Sequence, residues 1–221
     1  MIRALCLIAL LLLPVQAFAQ LRVDITRGGS DPVPVAIPDF NGSSPAQIQM
    51  GRDIAGVITN NLVSSGLFRA IPPQAFIQTP AELQQGVRFA DWRVLNAAGL
   101  VTGNVTADGA QFRVEFRLWD VFAGQQIAGV AYSTSPQNWR RIAHMISDQI
   151  YERLTGEKGY FDTRIVFVDE TGSKEERRKR IAVMDQDGAN ARYVTGGADI
   201  VFSPRFAPDN RRIAYTAQPK G

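Results

Sequence analysis

Cysteine is almost absent from this 221-residue chain, because Cys6 is the only one. Cys6 lies within an apolar N-terminal run that we expect to be removed, and too early in it to be a lipid-modified cysteine at the cleavage site. The mature chain is therefore expected to have no disulfide and no thiol nucleophile. An ordinary packed core must hold the fold together, and a chain of this length can supply one.

Histidine is equally scarce, since His144 is the only one. It lies two positions from Ile142 and from Ile146, which belong to the apolar stripe of a predicted helix, so we expect a solvated surface side chain. A single histidine without cysteine makes a structural zinc site implausible. The sequence also has no G-x-S-x-G elbow, no P-loop and no dinucleotide glycine pattern. We therefore predict no catalytic residue, no metal ligand and no cofactor.

Charge of one sign is not concentrated either, since 24 Lys and Arg residues are balanced by 21 Asp and Glu residues along the chain. This distribution argues against a nucleic-acid partner, which usually requires a clustered basic face. The stretch "KEERRKR" at 174–180 is interrupted by two glutamates, so we expect a solvated loop between strands. The stretch "DQDG" at 185–188 lacks the further oxygens and the distal Glu of a calcium loop, and it predicts a turn.

Long hydrophobic runs are limited to the N-terminus. Arg3 and the apolar run at 4–13 are followed by the small-residue pattern Ala17-x-Ala19, which is typical of a secretory signal peptide cleaved before Gln20. The run is too short to span a bilayer. A retained anchor helix is the alternative. We expect the mature chain to be exported and soluble, with no membrane span.

The expected mature N-terminus is a strand-capable segment. Leu21, Val23 and Ile25 are apolar and alternate with polar residues, which is the period of a β-strand. A glycine-containing break at 27–32 separates the segment from the rest of the chain. The residues fit an edge strand of the first domain and, equally, a strand that pairs with another protein by β-augmentation. The segment consists of Gln20, Leu21, Arg22, Val23, Asp24, Ile25 and Thr26.

Residues 33–158 alternate between strand and helix patterns and predict an α/β domain with a mixed sheet and helices packed against it. Ser44 and Gln47 can form a capping box that opens one helix, and Gly66 can end it. A second long helix is predicted from Trp139, with Gly156 at its end.

Three successive strand patterns lie between these helices. We predict hairpin turns at Asp108-Gly109 and at Ala123-Gly124. In the middle strand, apolar residues from Phe112 onward alternate with polar ones, so one face should be buried. A short helix, "FADWRVLNAAG", is predicted to precede the first of these strands and to end at Gly99.

Residues 159–221 contain short strand patterns with no helical period, which indicates an all-β region. The stretches "RIVFVDE" and "RIAYTAQ", which begin at Arg164 and Arg212, echo each other. Such a repeat is typical of the blades of a β-propeller.

Four features together resemble the TolB family of the bacterial Tol-Pal system. They are the export signal followed by an alternating strand, "VPVAIPDF" before a capped helix, the junction "LTGEKGYFDTRIVFV", and "SPRFAPDNRRIAY". The last is similar to a repeat of the family propeller, although Phe206 stands where that repeat usually has Trp, Ala207 replaces Ser, and Asn210 replaces the turn Gly. Phe keeps an aromatic side chain, and Asn tolerates a left-handed turn better than most residues.

The resemblance implies an N-terminal α/β domain followed by the start of a six-bladed all-β propeller, truncated after the first blade. It implies a signal peptide at 1–19, a partner-binding strand and tether at 20–32, the α/β domain at 33–158, and an incomplete propeller at 159–221. We expect the part after residue 160 to be poorly stable in isolation, because its blade edges are unpaired.

The same resemblance implies a non-enzymatic adaptor in the periplasm. Family members link inner-membrane TolA to the outer-membrane, peptidoglycan-associated lipoprotein Pal, maintain outer-membrane integrity and aid constriction at cell division. By position, residues 20–26 correspond to the TolA-binding segment, and Pal would bind the propeller. The alternatives are a fragment of an exported, propeller-containing hydrolase and an envelope scaffold with other partners.

Overall fold

The computed structural model describes residues 31–173 and 176–219. The predicted cleavage site and the strand at 20–26 lie outside the described residues. The α-helices are α1 (Pro45–Ser64), α2 (Pro80–Gln85), α3 (Phe89–Val94) and α4 (Trp139–Thr155), and short 3-10 helices occupy Pro73–Ala75 and Pro136–Asn138. The strands are β1 (Val33–Ala36), β2 (Asn41–Gly42), β3 (Phe68–Ala70), β4 (Gly99–Asp108), β5 (Gln111–Asp120), β6 (Gln125–Thr134), β7 (Arg164–Thr171), β8 (Arg178–Asp185), β9 (Arg192–Tyr193), β10 (Ile200–Phe206) and β11 (Ile213–Gln218).

The first six strands form one mixed sheet, which confirms the predicted α/β architecture. Its order is β3-β1-β4-β5-β6, with β2 paired to β4. The pairs β1–β3 and β1–β4 are parallel, whereas β4, β5 and β6 form an antiparallel meander. Because side chains alternate along a strand, Val101 faces the core under α1 and α4, while its neighbour Leu100 faces a second core with Trp92 of α3.

Helix α1 begins where the sequence predicts. The Ser44 hydroxyl accepts a hydrogen bond from the Gln47 amide, and the Gln47 side chain accepts one from the Ser44 amide, so the capping box is confirmed. Ile54, Ile58 and Leu62 form the fully buried stripe. The helix ends at Ser64, just before Gly66 adopts a left-handed φ of +75°.

Two local predictions in the α/β domain need correction. The first hairpin loop is Gly109-Ala110 rather than Asp108-Gly109, because Asp108 still pairs with Gln111 at the end of the ladder. Helix α3 ends at Val94 rather than near Gly99, since Asn96 turns the chain with a φ of +55° and Gly99 already belongs to β4.

The remaining strands form two small antiparallel sheets, β7-β8-β9 and β10-β11, and β10 packs against β7 and β8. This arrangement confirms propeller-like blades, and the described sheets are not closed into a ring. The turn residue Asn210 adopts a left-handed φ of +54°, as its place in the repeat predicts. The guanidinium of Arg164 lies 5.2 Å from the ring centroid of Phe206 and links the two sheets.

The prediction of a solvated loop over the whole of "KEERRKR" is wrong at its C-terminal end. Residues 174 and 175 lie outside the described part, but β8 begins at Arg178. Arg180 pairs with Asp169 of β7 at 3.0 Å and stacks on the ring of Tyr193 of β9 at 3.6 Å. Cross-strand partners therefore hold this basic stretch in the sheet, and local sequence could not reveal them.

The chain that leaves α4 is packed against the α/β domain before it enters β7. Gly156 caps the helix with a φ of +80°, as predicted. Phe161 is fully buried in the core under α1 and α4, where its ring contacts Tyr151 edge-on. The boundary at residue 158 remains a prediction, and residues just beyond it contribute to the α/β core.

Candidate functional site at the domain junction

A buried polar network lies where α1 and α4 meet the turn that follows β8. It brings together Asn61 of α1, His144 and Ser147 of α4, and Gln186 of the turn. The Asn61 amide nitrogen lies 2.9 Å from both His144 Nδ1 and Ser147 Oγ, and its oxygen accepts a hydrogen bond from Gln186 Nε2 at 2.9 Å. The network therefore joins the α/β domain to the propeller strands.

The prediction that His144 is a solvated surface residue is wrong, because only 2% of it is exposed. The helix stripe of Ile142 and Ile146 packs on the α/β core, but α4 is also covered on the adjacent side by α1 and by the turn. Burial lowers the pKa of His144 below its usual value, although the nearby carboxylates of Asp187 and Asp185 oppose this effect. The sequence carried no local signal for this second buried side.

Asp187 provides a charged link across the same junction. Its Oδ2 accepts hydrogen bonds from Arg140 Nε at 3.1 Å and from Arg140 Nη2 at 2.7 Å. Burial would raise the pKa of Asp187, but the hydrogen bonds from Arg140 and from the Ala189 amide outweigh it and hold the pKa below its usual range. The same oxygen lies 3.7 Å from His144 Nε2, which is too long for a hydrogen bond.

A second set of hydrogen bonds holds the segment that follows α4 against that helix. The carboxylate of Asp148 accepts hydrogen bonds from the backbone amides of Phe161, at 2.6 Å, and Asp162, at 3.1 Å. Burial raises the pKa of Asp148, and these two hydrogen bonds reduce that rise. Arg141 adds a forked contact to the Asp162 carboxylate at 3.2–3.3 Å.

A polar cleft of about 640 Å³ opens beside the network. Its walls include Arg140, Arg141 and His144 from α4, Asp185 at the end of β8, and Asn190 and Asn210 from turns between the propeller strands. No serine or cysteine is present among the described residues that line it.

The sequence predicted no metal ligand, yet the fold brings three potential ligands together. Donor atoms of His144, Asp185 and Asp187 all lie within 4.8 Å of one another. The "DQDG" turn alone does not reveal this cluster, because His144 lies on another element of the fold.

The predicted partner segment, residues 20–26, lies outside the described residues, so its position relative to the cleft stays untested. Among the helices of the described ranges, none combines the length and apolarity needed to cross a membrane.

These features define a class of protein in which an α/β domain is joined by a packed junction to β-propeller strands. Residues 21–127 match the family model of the TolB amino-terminal domain, and residues 151–221 match that of the TolB beta propeller domain. The chain belongs to the TolB family, as its sequence motifs indicated.

Curated relatives and a solved structure agree with this assignment. The Tol-Pal system protein TolB of Paramagnetospirillum magneticum is 52% identical over 95% of this chain and 46% of its own length, and that of Ruegeria sp. is 49% identical over 96% and 49%. The crystal structure of TolB from Acinetobacter baumannii superposes with a TM-score of 0.70 at 27% identity, over 89% of this chain and 46% of that one. The chain spans about half the length of the curated relatives it matches.

Proposed function

We propose that the protein is a non-enzymatic periplasmic adaptor of the Tol-Pal system that links TolA to Pal. The observation that carries the proposal is the match of both parts of the chain, in the same order, to the two TolB family models. None of the matching families is an enzyme family. In this role the protein would help to maintain outer-membrane integrity and to constrict the envelope at cell division.

The TolA-binding part is proposed to be residues 20–26. Its alternation of apolar and polar residues suits an added β-strand, in which main-chain hydrogen bonds give affinity and alternate side chains give specificity. The break at 27–32 contains two glycines and a proline, so the strand can leave the domain to reach a partner. Pal would bind the propeller.

The junction supports a relay between the two partner sites. An adaptor of this kind needs a contact through which the propeller and the α/β domain bias each other's state. The bond from Gln186 to Asn61 and the pair of Arg140 with Asp187 connect the two parts directly. In the proposed relay, Pal binding changes these contacts and so alters the exposure of the TolA segment.

The experiment compares two triple variants of the complete protein. Replacing Leu21, Val23 and Ile25 with serine removes the apolar face of the proposed strand, whereas replacing the intervening residues Arg22, Asp24 and Thr26 with serine is the matched control. Isothermal titration with the TolA partner domain measures affinity, and Pal binding reports that each variant is folded.

We expect the apolar variant to lose TolA binding by more than about tenfold, with Pal binding retained, and the polar variant to lose much less. Undiminished TolA affinity in the apolar variant would refute the assignment of the segment. A pull-down from envelope extract with the complete protein tests the adaptor role itself. Recovery of neither TolA nor Pal would favour an envelope scaffold with other partners.

A further inference from the structure

His144 Nε2 is a buried polar atom with no hydrogen-bond partner among the described residues. The side chain is 2% exposed, and Nε2 is directed at the Asp187 carboxylate, with Asp185 beside it. We propose that His144, Asp185 and Asp187 form a binding site for a divalent transition-metal ion, with Zn²⁺ the preferred occupant. The site would link α4 to the turn after β8, and its metal binding can be tested without reference to the proposed adaptor role.

The distances suit an ion after a small adjustment. Zn²⁺ binds imidazole nitrogen and carboxylate oxygen at roughly 2.0–2.2 Å, so two of its ligand atoms lie roughly 3–4 Å apart. The separation of His144 Nε2 and Asp187 Oδ2 is 3.7 Å, and all three donor atoms lie within 4.8 Å of one another. The pair of His144 and Asp187 already has this spacing, so the adjustment falls on Asp185, the last residue of β8.

The chemistry of the ligands selects the class of ion. One imidazole and two carboxylates favour Zn²⁺ and its neighbours such as Co²⁺ over Ca²⁺, which takes six to eight oxygen ligands. Two carboxylates also neutralise a divalent charge. Because His144 and Asp185 line the polar cleft, water can complete the coordination from that side.

The groups behind His144 can adapt to a bound ion. A metal on Nε2 requires Nδ1 to carry the proton and to donate it to an acceptor. In the described arrangement Nδ1 faces the Asn61 amide nitrogen, but rotation of the Asn61 amide places its oxygen there at nearly the same distance. The Gln186 amide can rotate with it. The Ser147 hydroxyl, which donates to the Ala143 carbonyl at 2.8 Å, would turn its single hydrogen to the Asn61 oxygen, so the contacts to Asn61 are kept and the bond to Ala143 is given up.

Arg140 is the natural competitor of the ion. Both of its hydrogen bonds go to Asp187 Oδ2, the oxygen nearest to His144 Nε2. An ion at this oxygen must either displace the Arg140 guanidinium or share the oxygen with it. The guanidinium borders the cleft and has space to move into the cleft. Removing the Arg140 charge should therefore strengthen metal binding, although it removes a salt bridge from the junction.

The test uses the complete, tag-free protein after removal of metals. Calorimetric titration with Zn²⁺ measures stoichiometry and affinity, and the visible absorption of Co²⁺ reports whether nitrogen and oxygen ligands bind it. We expect one saturable equivalent in the wild type. Asp185→Asn and Asp187→Asn keep the side-chain shape and should each weaken binding by at least about tenfold, whereas Arg140→Gln should strengthen it.

Asp162→Asn is the matched control, because Asp162 also borders the cleft and pairs with an arginine of α4 but lies outside the cluster. Its affinity for Zn²⁺ should equal that of the wild type. Thermal unfolding without metal confirms that every variant is folded. Absence of binding in both the wild type and Arg140→Gln would overturn the proposal, as would equal loss in Asp162→Asn and Asp187→Asn.

Discussion

Gln186 donates a hydrogen bond from Nε2 to Asn61 Oδ1 at 2.9 Å and thereby connects residues 125 positions apart in the chain. Asn61 is 2% exposed, and its amide nitrogen also forms hydrogen bonds with His144 and Ser147 of α4. One amide side chain thus holds together α1, α4 and the turn after β8. This relationship makes Asn61 the central residue of the junction.

The first prediction concerns the loss of this amide. In Asn61→Ala, the buried partners His144 and Ser147 and the half-buried Gln186 lose their hydrogen bond at once. Each unsatisfied buried group costs about 1–3 kcal/mol. We expect the free energy of unfolding to fall by at least about 2 kcal/mol, and Gln186→Ala to cost about 1 kcal/mol because only one bond is lost. Urea unfolding of the complete protein measures both.

Gln49→Ala is the control for this pair of variants, because Gln49 lies on the exposed side of the same helix and bonds only to other exposed residues. Its effect should stay within about 0.5 kcal/mol. The double variant of Asn61 and Gln186 should cost less than the sum of the single changes, since both remove one shared bond. Additive costs would show that the two side chains do not form this bond in solution.

The second prediction concerns the close approach of the chain to α4 at Gly159. A Cβ atom at this position would overlap the backbone and carboxylate of Asp148. Gly159→Ala should therefore displace the segment that carries Phe161 and lower the free energy of unfolding by roughly 1–3 kcal/mol. Differential scanning calorimetry would detect this as a lower melting temperature.

Gly56→Ala is the matched control with the opposite expected sign. Gly56 lies inside α1, and a Cβ there would have no heavy atom within 4 Å apart from its own helix. Because alanine is the better helix former, this variant should be more stable by about 0.5–1 kcal/mol. A stabilising effect of Gly159→Ala would contradict the packing described here.

Local signals in the sequence predicted the elements whose causes are local. The reciprocal bonds of Ser44 and Gln47 follow from their spacing, and the buried face of β5 follows from the alternation that starts at Phe112. Helix α2 carries the same kind of signal at Thr79 and Glu82, whose capping box the sequence interpretation overlooked.

The junction could not be predicted in the same way, because its contacts are distant in sequence. The helical period placed His144 outside the apolar stripe, which is correct for the face on the α/β core. It gave no information about Asn61 and Asp187, which cover the other side of α4. Similarly, the polar start of β8, residues 178–180, looked like the end of a loop because its partners lie on β7 and β9.

The third prediction tests the start of α1. Ser44→Ala removes the hydroxyl that accepts the Gln47 amide, and an N-cap of this kind contributes about 0.5–2 kcal/mol. We expect the free energy of unfolding to fall by about 1 kcal/mol. Ser64→Ala, at the other end of the same helix, removes only a hydroxyl bonded to the carbonyl of Asn61 and should cost less. Equal costs would argue against the capping box.

The last prediction concerns Asp148 and pH. The Asn variant can accept only one of the two amide hydrogen bonds from Phe161 and Asp162, because its amide nitrogen is a donor, and should be less stable by about 1–3 kcal/mol.

Burial raises the pKa of Asp148 in the fold, so the folded state holds this proton more tightly than the unfolded chain does. The stabilisation of the fold by this tighter proton binding is fully present below the unfolded pKa and is lost as pH rises through the raised folded pKa. The stability difference between wild type and Asp148→Asn should therefore shrink as pH increases from about 4. Urea unfolding of both proteins at a series of pH values measures this, and a difference that grows with pH would show that the hydrogen bonds, rather than burial, dominate the pKa.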